Sequence, residues 1–161
     1  MPISFRTQAL LAIASGAAIV APLSAINAHD EHAQGIYKVR HEEYEKLGDA
    51  FKTIRDQTRA STPDLAAIKT AAKVVNDASV NQFKWFPAGS GPEGNPKTRA
   101  KAEIWSKPQE FEKAQKLFAS EATKLTAAVA GNDVSAIRAQ FGATGKACKN
   151  CHDSFRAPEK D

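Results

Sequence analysis

The chain has 161 residues, 22 of them basic and 18 acidic, for a net charge of +4 with histidine neutral. The charges are interspersed rather than blocked, which excludes the electrostatic footprint of a nucleic-acid binder. A chain of this length supports one domain around one core.

The first 28 residues read as a leader. "MPISFRTQ" carries a single positive charge at Arg6, the apolar run "ALLAIASGAAIVAPLSA" follows, and "INAHDEH" turns polar. A basic start, a short apolar core and small residues at the cut define a secretory signal peptide. Cleavage is expected after Ala28, with Ala25 as the alternative, leaving residues 29–161 as one domain of net charge +3. The apolar run is shorter than the roughly 20 residues that span a bilayer, and Pro22 interrupts it. No later segment is apolar enough to cross, so the mature protein is expected to be exported, periplasmic and free of a membrane span.

Past the leader the sequence predicts helix throughout. In "IYKVRHEEYEKLGDAFKTIRDQTRA", Tyr44, Leu47, Phe51 and Ile54 recur at three- and four-residue intervals. Pro63 is placed in the first turn of a second helix with Leu65, Ile68, Ala72 and Val75 as its inner stripe. The stretch from Trp85 to Trp105 is dense in proline and glycine and reads as a long connection. Ser106 is the expected cap of a third helix, with Pro108 in its first turn and Phe111, Ala114, Phe118, Ala122 and Leu125 inside, ending at Gly131. Asp133 is the expected cap of a fourth, striped by Val134, Ile137, Phe141, Thr144, Cys148, Cys151 and Phe155 and stopped by Pro158.

Four such patterns with two short connections predict an all-α, antiparallel four-helix bundle. "GSGPEG", Gly89 to Gly94, fits the glycine string of dinucleotide-binding loops. That device needs a strand before it and a helix N-terminus after it, and Pro92 lacks an N–H. A plain turn-rich connection is expected instead.

The chemistry concentrates in "KACKNCHDSFR", Lys146 to Arg156, which holds the only two cysteines. A thioredoxin-like dithiol wants a βαβ setting, and a zinc site wants four ligands, whereas His29, His32 and His41 lie far upstream. C-x-x-C-H is the attachment signal for c-type haem. Two thiols three residues apart leave a helix on one face and can add across the two porphyrin vinyl groups. His152, next to Cys151, can then reach the iron. In an exported protein the alternative fate of such a pair is a disulfide. The cysteines continue the apolar stripe of the last helix, so the porphyrin is expected inside the bundle, edged by Phe141 and Phe155.

An exported bundle ending in "CKNCHDSFR", with "YKVRHEEYEKLG" in its first helix and "WFPAGSG" and "TRAKAEIW" in its connection, resembles the cytochrome c′ family, the class II c-type cytochromes. The likeness covers essentially the whole mature chain. It implies one covalently bound haem c in a periplasmic protein, often a homodimer, that transfers single electrons to redox partner proteins or binds gases such as NO or CO. By the resemblance, Cys148 and Cys151 are the thioether anchors and His152 the proximal iron ligand. Arg40 matches an arginine near the haem propionates, and Arg156 the basic residue beside the proximal histidine.

The sixth iron position departs from the low-spin members of that family, which place a first-helix methionine there. Met1 is the only methionine and leaves with the leader. The methionine position aligns with Tyr44, which can ligate as phenolate, donate a hydrogen bond to a distal ligand or fill space, while His41 offers bis-histidine ligation. The expected outcome is a five-coordinate iron screened by Tyr44. No acid, base or nucleophile set accompanies the haem, so an electron carrier is expected rather than an enzyme, with gas capture as the alternative. Lys146 and Lys149 flank the attachment site and suit an acidic redox partner.

Overall fold

The computed structural model describes residues 24–159, with side chains from residue 35 onward. Residues 1–23 of the expected leader lie outside the described residues. Five α-helices follow in chain order: α1 Ser24–Gln57, α2 Leu65–Asn81, α3 Glu103–Ser106, α4 Pro108–Ala130 and α5 Val134–Phe155. A 3₁₀ turn, Gln82–Lys84, extends α2 into the long connection.

The bundle is made by α1, α2, α4 and α5. α1 packs along α2, α2 along α4 and α4 along α5, while α1 and α5 meet only lightly. The short links between α1 and α2 and between α4 and α5 make each pair antiparallel, as the sequence predicts. Ile54, Ile68, Val75, Ala122, Leu125 and Ile137 are fully buried at the centre. Each comes from a stripe of period three to four, the geometry that keeps a helix's apolar residues on one side.

Helix starts follow side-chain chemistry. Asp64 Oδ1 accepts from the Ala66 and Ala67 amides at 2.9 Å each, and Asp133 Oδ1 accepts from Ser135 and Ala136. Both carboxylates satisfy amides that a helix cannot pair internally. Two expectations are corrected here. Pro63 precedes α2 rather than entering it, because Asp64 is the cap. Leu65 therefore sits in the first turn, 37% exposed, and is not part of the inner stripe. Ser106 closes α3 instead of capping α4, whose cap position is Lys107 with no side-chain hydrogen bond and Pro108 directly after it.

The connection from residue 85 to residue 102 is an ordered strap. Tyr37 Oη donates to the Gly91 carbonyl at 2.7 Å, and Trp105 Nε1 donates to Pro87 O at 2.9 Å. Gly89 has φ +77°, a conformation that favours glycine. A Cβ on Gly94 would lie 2.7 Å from Tyr37 Oη. The glycines of "GSGPEG" thus serve turns and close packing, and no strand precedes them among the described residues.

Candidate functional site

The loose seam between α1 and α5 is where the predicted residues converge. Phe51 of α1 and Phe141 of α5 meet with ring centroids 5.2 Å apart. The two helices run in opposite directions, so seven residues back along α1 corresponds to seven residues on along α5. Tyr44 therefore lies at the level of Cys148, and Arg40 at the level of His152.

Cys148 and Cys151 are both free thiols, half-buried, one turn apart on α5. Cys148 packs against the main core, beside Tyr44, Phe51 and Phe141. Cys151 packs against a second cluster built from Ile104, Phe111 and Phe155 with Phe86, Trp105 and Ala114. Phe86 belongs to the borders of both clusters. Its ring stands 4.8 Å from Phe111, 6.2 Å from Trp105 and 6.4 Å from Tyr44. The thiols therefore face aromatic surface from three elements, an apolar setting that suits a flat macrocycle. Burial pushes the Cys148 thiol up to about 11, with the neighbouring Cys151 adding to the effect, and burial raises Cys151 as well.

His152 is on the last turn of α5 and exposed to solvent. Partial burial lowers its pKa, and the positive charges of Arg156 and Arg99 lower it further. The ring is thus held neutral, the form in which an imidazole nitrogen binds a metal. Two free thiols on one helix face, an adjoining neutral imidazole and an aromatic lining together fit covalent attachment of a haem c.

The opposite wall is Tyr44, half-buried against Trp85 at 5.0 Å in an edge-on contact. Burial raises its pKa well above the usual phenol value, and nearby Cys151 and Cys148 contribute in the same direction while Arg40 and Arg156 oppose it. His41 lies on the solvent side of α1, with Nε2 3.3 Å from Glu45 Oε1.

Arg40 is 6% exposed and is committed to the strap. Its guanidinium donates to Trp85 O at 3.2 Å, Ser90 O at 3.1 Å, Ser90 Oγ at 3.4 Å and Thr98 Oγ1 at 3.2 Å. It also lies over the rings of Phe86 at 4.8 Å and Tyr37 at 5.1 Å. Arg156 is exposed at the end of α5, where its backbone pairs with Ala100 of the strap. A groove of about 410 Å³ between α4 and α5 is lined by Glu110, Leu117, Asn150 and Ser154 among others, but by neither cysteine nor His152.

Sequence reasoning missed the clasp on the last turn of α5. Ala157 N donates to Arg99 O at 2.7 Å, Lys101 N donates to Phe155 O at 3.0 Å, and Arg99 Nε donates to Ala157 O at 3.0 Å. The available signal was compositional: "WF" and "IW" are large apolar pairs inside a proline- and glycine-rich segment, and a solvated loop has no use for them.

The family model for cytochrome c′ matches residues 36–156. A cytochrome c′ of Alcaligenes xylosoxydans xylosoxydans is 38% identical over 93 residues, 58% of this chain and 69% of the relative. One from Rhodocyclus tenuis is 30% identical over 125 residues, 76% of this chain and 89% of the relative. Among solved structures, the nitric oxide complex of a point mutant of cytochrome c prime from Alcaligenes xylosoxidans superposes with a TM-score of 0.71 at 28% identity, covering 79% of this chain and 97% of that one. A cytochrome c′ described by an unusual ligand-controlled dimer dissociation gives 0.73 at 25% identity over 78% of this chain and 97% of that one. With the family model matched over residues 36–156 and the bundle shared with solved members, the chain belongs to the cytochrome c′ family and carries haem c.

Proposed function

We infer that this chain is a periplasmic haem protein that carries single electrons, with an iron bound by the protein on one side only. When bound, haem supplies an iron that cycles between two oxidation states. Cys148 and Cys151 hold the group through thioether bonds, and His152 provides the proximal nitrogen. By the family likeness, Arg40 and Arg156 would lie near the haem's carboxylates, where their positive charges would offset them. The surrounding Phe86, Phe111, Phe141 and Phe155 exclude water, which limits solvent rearrangement when charge changes.

The observation that carries this reading is the character of the α1 wall facing the thiols. Tyr44 keeps its proton because burial disfavours the phenolate, and a neutral phenol is a poor iron ligand. His41 is turned to solvent beside Glu45, and residues 29–161 contain no methionine. No group on this wall is suited to the sixth position. Optical spectra of the purified protein test this: broad high-spin bands in both oxidation states are expected, and a sharp low-spin α band on reduction overturns the five-coordinate assignment. A reversible one-electron wave in a redox titration is the matching test of the carrier role.

A second reading is capture of NO or CO at that open side. The nitric oxide complex of the Alcaligenes relative favours it. Anaerobic titration of the reduced protein tests it: a fast spectral change on adding NO or CO supports capture, and no change refutes it. A homodimer is also part of the proposal, by likeness to the relative with ligand-controlled dimer dissociation, and sedimentation with and without CO tests it. No paired acid and base adjoin the site, which supports a carrier or binder over an enzyme. The exported location rests on the leader and on the haem attachment that export permits; fractionation of cells into periplasm and cytoplasm checks it.

A further inference from the structure

A run of aromatic rings leads from the walls around the thiols to the strap. Trp85 meets Tyr44 at 5.0 Å, Tyr44 meets Phe86 at 6.4 Å and Phe86 meets Trp105 at 6.2 Å, centroid to centroid. All three spacings are those of interacting aromatic pairs. Cys148 packs against the core cluster that holds Trp85, and Cys151 and Trp105 both pack against the cluster of Ile104, Phe111 and Phe155. Within this run Tyr44, Trp85 and Trp105 can give up an electron, whereas Phe86 only bridges. Their surroundings rank them. Tyr44 must shed its phenolic proton when oxidised, in a half-buried position against the apolar core. Trp85 is 4% exposed, and its carbonyl accepts from the buried Arg40 guanidinium, a cation that disfavours further positive charge on that residue. Trp105 is partly exposed, and its indole N–H donates to Pro87 O at 2.9 Å. Such a bond strengthens when the donor becomes positively charged, and water at the ring edge can take the proton.

We propose that Trp105 is the outlet for oxidising equivalents delivered to the haem site by hydrogen peroxide, passing them to small reductants at the surface. The inference rests on the open iron position argued above. Reduction of one hydrogen peroxide to two waters takes two electrons and two protons. Trp105 supplies them one pair at a time, each electron leaving with the indole N–H proton and a neutral indolyl radical remaining. A one-electron reductant such as ascorbate restores the indole each time by returning an electron and a proton. Oxidation is thereby drawn away from the aromatic wall that packs the site.

The test mixes the haem-loaded ferric protein with equimolar hydrogen peroxide. One portion is frozen rapidly for electron paramagnetic resonance, and another is digested for mass spectrometry. A tryptophan radical is expected, with oxygen added mainly at Trp105 and little at Trp85 or Tyr44, and ascorbate should suppress both signals. Trp105→Phe keeps a bridging ring that cannot be oxidised. It should lose the radical, move the added oxygen to Tyr44 and Trp85, and bleach faster on repeated peroxide additions. The oxidation map of the unmodified protein decides the matter even where the variant does not fold. Peroxide consumed with oxygen added mainly at Trp85 or Tyr44, or an unchanged radical in Trp105→Phe, overturns the proposal and leaves the five-coordinate reading intact. A low-spin protein that leaves peroxide unconsumed overturns both.

Discussion

Replacing Arg40 with alanine separates a residue that braces the fold from one that only decorates a helix. The side chain is 6% exposed and supplies donors to two backbone carbonyls, Trp85 O and Ser90 O, and to the hydroxyls of Ser90 and Thr98. The hydroxyls can turn to other partners, but each carbonyl left buried and unpaired costs about 1–3 kcal/mol. Loss of the guanidinium from the faces of Phe86 and Tyr37 adds about 0.5–2 kcal/mol. Against this, the variant no longer desolvates a charge, the same burial that lowers the pKa of Arg40. The balance is a destabilisation of about 3 kcal/mol. With a urea dependence of about 1–3 kcal/mol per molar for a domain of this size, the unfolding midpoint of the haem-loaded protein should drop by roughly 1–3 M. Arg40→Lys keeps the charge but reaches fewer acceptors at once, and should recover about half of the loss. Lys38→Ala, on the same helix at an exposed position, should shift the midpoint by less than about 0.3 M. If Arg40→Ala matched Lys38→Ala, the strap would not be held by this residue and the reasoning would fail.

Three further outcomes follow from local geometry. In the folded haem-free chain Cys148 sits near 11 against an ordinary value of about 9, so below pH 9 it carries about a hundredfold less thiolate than the denatured chain. Alkylation at pH 8 should be slower in proportion, and equal rates would refute the burial. The sign for stability follows: folded and unfolded thiols are both protonated below about pH 9, and this contribution is lost as pH rises toward 11, because the unfolded state releases its proton first. Asp133→Ala removes the acceptor of the Ser135 and Ala136 amides and should cost about 1 kcal/mol in urea unfolding, with Asp133→Asn nearly neutral. Gly94→Ala places a methyl 2.7 Å from Tyr37 Oη and 3.0 Å from Gly89 O; about 1–3 kcal/mol of destabilisation is expected, and an unchanged melting curve would show that the strap yields freely.

The helices were legible because burial repeats along them. Ile68, Ala72 and Val75, or Phe118, Ala122 and Leu125, lie on one side of a cylinder, and the period survives any detail of packing. The attachment motif was legible for a different reason, since its chemistry is local to five consecutive residues. What escaped was nonlocal. Whether Leu65 points inward depends on where the helix begins, and Asp64 settled that by capping a helix that starts at Leu65 rather than at Pro63. Ser106 was a reasonable cap by type, but α3 claimed it through hydrogen bonds that no sequence pattern marks. The commitment of Arg40 to Trp85, Ser90 and Thr98 spans 45 to 58 positions, and no periodicity records a contact of that range.

The clasp at the end of α5 alters how that helix behaves at its tip. The final carbonyls of a helix have no partners within it, so the last turn ordinarily frays, most of all near a chain terminus. Here the Lys101 ammonium takes Asp153 O and Ser154 O at 3.3 Å each, and the Lys101 amide takes Phe155 O. The turn bearing His152 is tied down from outside by a segment more than fifty residues earlier. Amide exchange there should be as slow as in the middle of the helix, which would give the imidazole a stiff mount at the helix tip.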